Sequence, residues 1–207
     1  MRNLSQRALI FLLWEFACTP AAGQEPPAKF GTTVVIPAGL RGQIYHIKKG
    51  SIGLPDFRKG KAKGTIYTTT LNVPTQSFDR GFPGVTKRYE WFAIDYTGRI
   101  WIRSPGVYYF RLLSDDGSKL YLDDKLVINN DGEHAPRPAD GAIELGVGIH
   151  RIEVGYYQGP RYGVALVLSV APPGEGMRIF NVDDFKPPSD VEIPVDLSPE
   201  GGKKKGR

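Results

Sequence analysis

The chain has 207 residues, of which 41% are hydrophobic, enough for one domain with a buried core and terminal tails. Its 25 glycines and 17 prolines favour many turns and short strands and argue against long helices. The formal net charge is +5, but the basic excess lies at the two ends. The body between Gln24 and Pro199 is nearly neutral, so we do not expect it to bind nucleic acid.

The first residues have the three-part order of an export signal. Arg2 and Arg7 supply positive charge, Ala8 to Trp14 is an apolar run, and Ala21 to Gly23 offers small residues for cleavage. The run is too short for a membrane span, which needs about 20 apolar residues. We therefore predict a signal peptide at residues 1–23 and a secreted, periplasmic or cell-surface protein with no transmembrane segment in its mature chain. The alternative is an ordinary buried N-terminal element.

The single cysteine, Cys18, raises the question of a lipid anchor. Glu15 stands where a lipoprotein signal requires an aliphatic residue, so we favour cleavage without lipidation. Cleavage after Gly23 would leave a mature chain without cysteine, and its stability would then depend on core burial and not on disulfides.

The next segment, residues 24–39, reads as a linker followed by a first strand at Val34 to Ile36. A strand is predicted at Leu40 to Tyr45, and two Gly- and Pro-containing loops are predicted at Lys48 to Lys63 and Asn72 to Thr86. The first loop contains a basic run, for which a solvated loop and contact with an acidic surface or polysaccharide both remain open: Lys48, Lys49, Arg58, Lys59, Lys61 and Lys63.

The middle of the chain reads as strands joined by turns. Tyr89 to Ile102 has a hairpin pattern with a turn at Thr97-Gly98, and Val107 to Ser114 alternates between apolar and polar positions. Asp115 to Ser118 has the composition of a hairpin turn. We expect one core from the alternation in these and later strands: Tyr108, Phe110, Leu112, Leu120, Leu122, Ile152, Val154, Leu166 and Leu168.

The later strands follow the same pattern. Asp123-Asp124 predicts a turn into a strand that ends at Asn129, and His134 to Gly141 predicts a loop with two prolines. Strands follow at 142–145, 149–157 and 164–170, and one more strand is predicted between Met177 and Phe185. The spacing of these strands predicts an all-β fold, an antiparallel β-sandwich with disordered termini. Residues 40–171 are predicted to form the domain. Residues 172–207 are predicted to form a C-terminal extension with a basic disordered end.

The most specific pattern is the block from Gly106 to Asp123, which reads GVYYFRLLSDDGSKLYLD. It resembles the motif G-x-Y-x-F-x-L-x-S-D-D-G-S-x-L-x-I-D of the PA-14 domain family, the protective-antigen-type β-sandwich. Gly141 to His150 is similar to the family's G-x-I-x-L-x-A-G-x-H, and Tyr156 to Gly159 resembles its closing strand. The resemblance implies a β-sandwich of the kind found in secreted adhesins, glycosidases, toxins and bacterial surface proteins.

The resemblance also implies candidate site residues. In the fungal adhesins of the family, paired aspartates joined by a cis peptide bind Ca²⁺, and a later Asn and sugar hydroxyls complete the coordination. The matching positions here are Asp115, Asp116 and Gln158, where Gln replaces the Asn. Carboxylate and amide oxygens suit Ca²⁺, a hard cation. The alternative is that Asp115 and Asp116 form only a turn held by local hydrogen bonds.

Tyr157 and Tyr162 flank the loop that follows Gln158, and we expect them to present rings to a sugar. Catalytic residues are not predicted, because the sequence contains no nucleophile motif, phosphate-binding loop or zinc spacing. The favoured function is a secreted, non-catalytic carbohydrate-binding module with Ca²⁺ as cofactor and a glycan or cell-surface polysaccharide as partner. The alternatives are an extracellular structural or protein-interaction domain of the cell envelope and an accessory domain of glycan-processing machinery.

Overall fold

The structure, a computed structural model, describes residues 39–85 and 88–188. The predicted signal peptide, the strand at Val34 to Ile36 and the disordered end after Pro188 lie outside these residues. The described part contains eleven strands: β1 (Leu40–His46), β2 (Gly64–Thr68), β3 (Asn72–Ser77), β4 (Phe92–Ile102), β5 (Gly106–Asp115), β6 (Ser118–Leu122), β7 (Lys125–Asn130), β8 (Arg137–Leu145), β9 (Gly148–Gln158), β10 (Gly163–Ala171) and β11 (Arg178–Ile179). Three short 3-10 turns accompany them: Phe57–Lys59, Phe78–Arg80 and Val182–Phe185.

The strands form two antiparallel sheets, as the sequence predicts. One sheet has six strands in the order β2-β1-β4-β9-β6-β7. The other has five strands, with the order β11-β10-β5-β8 and with β3 also paired to β10. Strand β10 is therefore central, because β5 covers one edge while β3 and β11 share the other. Its inner-face residues Leu166, Leu168 and Val170 are buried, whereas Val167 and Ser169 on the outer face are only partly buried.

The core lies between the sheets, and its alternation follows the prediction. Tyr108, Phe110 and Leu112 of β5 are buried, while Arg111 between them is exposed and pairs with Asp140 on β8. The other six residues predicted for the core are all completely buried: Leu120, Leu122, Ile152, Val154, Leu166 and Leu168. Burial of these apolar side chains is the main force holding the two sheets together.

The predicted turn at Thr97-Gly98 is wrong, because β4 runs unbroken from Phe92 to Ile102. Gly98 pairs with Ile152 on β9, and a side chain at Gly98 would lie 2.6 Å from Leu40 Cδ2. The glycine thus permits close approach of a neighbouring strand, a role that glycine in a strand can serve as readily as a turn.

Two predicted loops are shorter than expected, because strands that contain proline occupy part of them. Strand β3 lies within the predicted loop from Asn72, and β8 begins at Arg137 within the predicted loop from His134. Pro74 and Pro138 both lie in strands that pair on one side only, β3 with β10 and β8 with β5. Proline lacks a backbone N–H, so edge strands tolerate it.

The turn at Asp115 to Ser118 does not close a hairpin. Strand β5 belongs to the five-stranded sheet and β6 to the six-stranded sheet, so the chain crosses between layers here. The next turn, Asp123-Asp124, does close the β6–β7 hairpin, and both aspartates have positive φ, 48° and 63°. The crossing places Asp115 and Asp116 at one end of the sandwich, between its layers.

The chain beyond Ala171 also packs on the sandwich. Strand β11 pairs with β10, and Phe180 stacks on Phe185 with ring centroids 5.3 Å apart. Phe180, Val182 and Phe185 are buried in the common core. The folded unit therefore includes these residues in addition to residues 40–171.

Candidate functional site

The site begins at the turn between the sheets. Asp115 ends β5, Asp116 follows it, and the peptide bond that joins them is cis. Both side chains are buried, Asp115 being 2% exposed and Asp116 3% exposed. Buried carboxylates normally require hydrogen-bond or charged partners, because desolvation of a charge is costly.

Asp116 is held by two backbone groups distant in sequence. Its Oδ2 accepts a hydrogen bond of 2.8 Å from the N–H of Gly159, and its Oδ1 accepts one of 3.2 Å from the N–H of His134. These donors lie 43 and 18 positions away along the chain. The carboxylate thus fastens two other loops to the turn, which differs from the local hydrogen bonding of a simple Asx turn.

Asp115 is the less satisfied of the two carboxylates. Its Oδ2 is buried and accepts no hydrogen bond from any residue that the structure describes. Burial, together with the neighbouring Asp116 carboxylate, raises the pKa of Asp115 to about 6. Burial also raises the pKa of Asp116, although the Gly159 and His134 hydrogen bonds work against that rise.

The loop between β9 and β10 closes over both carboxylates. A side chain at Gly163 would overlap Asp115 Oδ2, and one at Gly159 would lie 3.2 Å from Asp116 Oδ2. The two glycines therefore bring backbone close to the two acids. The sequence analysis did not predict this role for either glycine.

Gln158 lies in the same region, completely buried at the end of β9. Its Oε1 accepts a hydrogen bond from the Tyr156 hydroxyl, and its Nε2 donates to the Gly163 carbonyl at 3.0 Å. The Tyr156 hydroxyl also lies 2.7 Å from the Asp115 carbonyl oxygen. Both ends of the amide are therefore engaged within the protein, so Gln158 connects the two loops of the site.

The two tyrosines expected at the site differ in exposure. Tyr162 is 79% exposed in the loop after β9. Tyr157 is completely buried, contrary to the expectation that it presents its ring, because its hydroxyl reaches the Ser51 carbonyl beneath the segment after β1. Of the two rings, only that of Tyr162 is presented to solvent.

A network of hydrogen-bonded polar side chains lies next to the Asp115-Asp116 turn. Ser114 Oγ lies 2.7 Å from Ser118 Oγ, and Asn130 Nδ2 donates to Ser114 Oγ at 3.0 Å. Arg137 Nε donates to Asn130 Oδ1 at 2.9 Å. The network joins β5, β6, β7 and β8 beside the acids. The sequence motif contains both serines, but the sequence analysis did not predict this role for Asn130.

The donors at this site fit a hard cation. The paired carboxylates supply oxygen ligands, and Asp115 Oδ2 is a buried oxygen in need of a positive partner. The oxygens of Asp116 retain lone pairs beyond the one that each uses. Within the described residues, no group of three or more His, Cys, Asp or Glu side chains is arranged to hold a metal ion. A cation here would therefore need further oxygens from amides, carbonyls, water or a ligand.

The geometry defines a two-sheet antiparallel β-sandwich with a buried aspartate pair at one end. The chain belongs to the PA14 domain family, whose model matches residues 49–183. A search of the curated proteins found no match. Among residues 39–85 and 88–188, no helix is long and apolar enough to cross a membrane.

Solved structures share the fold at low sequence identity. An anti-sigma factor domain-containing protein is 22% identical with a TM-score of 0.57, over 75% of this chain and 50% of that one, so the chain spans about half its length. A PA14 sugar-binding domain from an RTX adhesin is 20% identical with a TM-score of 0.57. The match covers 70% of this chain and 96% of the adhesin domain. The Epithelial Adhesin 9 A domain from Candida glabrata, in complex with Galb1-4GlcNAc, is 12% identical with a TM-score of 0.51. The match covers 71% of this chain and 87% of the adhesin domain.

Proposed function

We propose that the chain is a secreted, non-catalytic carbohydrate-binding module in which Asp115 and Asp116 hold Ca²⁺ and the Ca²⁺ contributes to glycan binding. The observation that carries this proposal is the buried, unpartnered Oδ2 of Asp115 beside a second buried carboxylate. Such a pair is costly without positive charge, and Ca²⁺ supplies that charge while retaining coordination positions for other oxygens. Sugar hydroxyls are suitable donors for those positions.

The surroundings of the pair support a ligand site. The exposed ring of Tyr162 lies in the loop whose glycines abut both carboxylates, so it stands at the edge of the site. An aromatic ring offers an apolar face to the C–H groups of a sugar. The sugar-binding RTX adhesin domain and the Candida adhesin domain share the fold, which is consistent with a glycan as partner and with a cell-surface location.

Gln158 is part of this proposal as an oxygen donor to the cation. In the structure its Oε1 faces the Tyr156 hydroxyl, so coordination would require the amide to exchange that contact for the cation. Without such exchange, Gln158 contributes by holding the β9–β10 loop through Gly163. The affinity of a Gln158→Asn variant for Ca²⁺ separates these roles, since only direct coordination allows the shorter amide to bind as well as the parent.

The decisive experiment is calorimetric titration with Ca²⁺, followed by a glycan array with Ca²⁺ or with EDTA. Asp116→Asn should lose most of the Ca²⁺ affinity, because carboxylate charge drives binding. Asp124→Asn is the matched control, since its carboxylate is 78% exposed in the β6–β7 turn at the other end of β6. Absence of Ca²⁺ binding, or equal effects of the two variants, would refute the cation site. Ca²⁺ binding without any bound glycan would refute the carbohydrate function alone.

A second function has one specific observation in its favour. The outer face of the five-stranded sheet exposes several apolar side chains, including Val107 (42%), Tyr109 (56%) and Ile179 (39%). A face of this kind suits a protein-interaction domain of the cell envelope. Tyr109→Ala would weaken such an interaction and leave Ca²⁺ and glycan binding unchanged.

A further inference from the structure

The segment between β1 and β2 forms one wall of an open groove of about 650 Å³. We call it the basic groove and define it by six lining residues: His46, Lys48, Ile52, Leu54, Pro55 and Lys59. Ile52 is 80% exposed. The groove thus combines an apolar lining with cationic side chains at its rim, a combination that binding sites for amphipathic ligands use.

The charge of this segment is strongly unbalanced. Residues 47–63 contain six lysines and arginines and one acid, Asp56. Asp56 pairs with Arg58 at 3.0 Å and with Lys59 at 3.3 Å. The remaining four bases form no ion pair with any residue that the structure describes: Lys48, Lys49, Lys61 and Lys63. Four uncompensated charges on one segment of a nearly neutral domain create a local positive potential that favours an anionic partner.

Additional positive charge lies close to His46 and Ile47, which both line the groove. Arg88 donates hydrogen bonds to the Ile47 and Trp91 carbonyls, which fix its guanidinium behind β1. Burial, with the charges of Arg88 and Lys63, lowers the pKa of His46. The backbone N–H of Lys63 donates a hydrogen bond of 2.7 Å to the Ile44 carbonyl, so Lys63 follows β1 close to His46. Arg88 and Lys63 therefore both add positive charge beside the groove-lining residues His46 and Ile47.

The basic groove shares a wall with the aspartate site. Asp131 lines the groove, and its Oδ1 accepts a hydrogen bond of 2.9 Å from the Leu54 N–H. A side chain at Gly117, next to Asp116, would lie 2.8 Å from the same oxygen. Tyr157, two residues before Gly159, binds the Ser51 carbonyl through its hydroxyl. A polymer held at the aspartate pair could therefore continue into the basic groove.

We propose that the basic groove binds an acidic polysaccharide, with its carboxylate or sulfate groups on the lysines and its sugar C–H faces on Ile52 and Pro55. The choice of a glycan over other anions rests on the proposed function, whereas the anionic character rests on the groove itself. The lining contains no Phe, Tyr or Trp side chain on which a nucleobase could stack, and it includes the carboxylates of Asp56 and Asp131. Carboxylates accept hydrogen bonds from sugar hydroxyls.

The test is affinity electrophoresis of the folded protein in EDTA through gels that contain alginate, dextran sulfate or neutral dextran. We expect retardation by alginate or dextran sulfate but not by dextran, and weaker retardation at higher salt because exposed charges are screened. The variant Lys48→Gln/Lys63→Gln should lower the affinity roughly ten-fold. The control Arg103→Gln/Lys125→Gln removes the same charge at the opposite end of the sandwich and should change the affinity less than about two-fold.

Failure of this inference can be distinguished from failure of the cation site. Asp116→Asn should keep its retardation by the acidic polysaccharides in EDTA, since the groove does not depend on Ca²⁺. Three results would overturn the inference: no retardation by either acidic polysaccharide, equal loss in the two double variants, or stronger binding to single-stranded DNA or phosphatidylserine vesicles than to both polysaccharides.

Discussion

The backbone N–H of Gly159 donates a 2.8 Å hydrogen bond to Oδ2 of Asp116, which fastens the β9–β10 loop to the turn between the two sheets. The contact joins residues 43 positions apart and lies in a buried position. It places the exposed Tyr162 and the buried aspartate pair on one structural unit. A change in the carboxylates should therefore be transmitted to the loop that presents Tyr162.

We expect Gly163→Ala to lower Ca²⁺ affinity by at least about ten-fold, because the added methyl would overlap Asp115 Oδ2 and force the carboxylate to move. Calorimetry with Ca²⁺ measures the change. Gly146→Ala is the control, since nothing lies within 4 Å of a side chain there. Equal Ca²⁺ affinities for the two variants would show that the Asp115 carboxylate does not bind the cation.

The stability of the Ca²⁺-free protein should depend on the ionisation of Asp115. Its pKa is raised from 3.8 to about 6 on folding, so the folded state binds the proton more tightly than the unfolded state. The stabilisation from this proton is fully present below about pH 4 and is lost as the pH rises through about 6, a loss on the order of 3 kcal/mol.

The comparison that isolates this effect is urea unfolding in EDTA at several pH values for the parent protein and Asp115→Asn. The free energy of unfolding of the parent should fall relative to that of the variant as pH rises from about 4 to 7. Carboxylates outside the Asp115-Asp116 pair titrate equally in both proteins, so their contributions cancel. A pH-independent difference between the two proteins would contradict the raised pKa.

Tyr162→Ala should weaken glycan binding about five- to ten-fold while leaving Ca²⁺ affinity unchanged, because the exposed ring is the part of the site that lies outside the aspartate pair. Titration with the best glycan from the array provides the measurement. Tyr109→Ala removes another exposed ring, on the outer face of the five-stranded sheet, and should have no effect. Matching losses in both variants would argue against a specific role for Tyr162.

Leu166→Ala should lower the free energy of unfolding by about 2–5 kcal/mol, because it leaves a cavity in the centre of the core. Denaturant unfolding monitored by Trp fluorescence measures the loss. Val167→Ala, on the opposite face of β10 and only partly buried, should cost about 1 kcal/mol. A smaller loss at Leu166 than at Val167 would mean that the assignment of the inner face is wrong.

Alternation was the strongest guide to the fold. Tyr108, Phe110 and Leu112 occur at every second position, which in a strand places them on one face, and all three are in the core. Glycine and proline were poorer guides, because each has more than one structural use. Gly98 permits Leu40 to approach β4, and Pro74 and Pro138 lie in edge strands, yet all three read as signs of turns or loops.

Much of the candidate site was recognisable because its acids lie in one motif. Asp115 and Asp116 are adjacent in a block that resembles the PA14 family, and Gln158 was chosen by its matching position. The contacts between these residues could not be read from the chain, because the donors to Asp116 come from loops 18 and 43 positions away. The burial of Tyr157 depends likewise on Ser51, a residue 106 positions distant.

The sequence by itself determined an all-β sandwich, its core-facing residues and its family, since these depend on local periodicity and on a contiguous motif. Only the tertiary structure decided that the Asp115 turn crosses between sheets, that Asp115 Oδ2 is left without a partner, and that the basic groove adjoins the aspartate pair. The physical reason is that strand order and loop closure bring together groups far apart in the chain. Burial and electrostatic environment are properties of that assembled neighbourhood, and no single segment contains them.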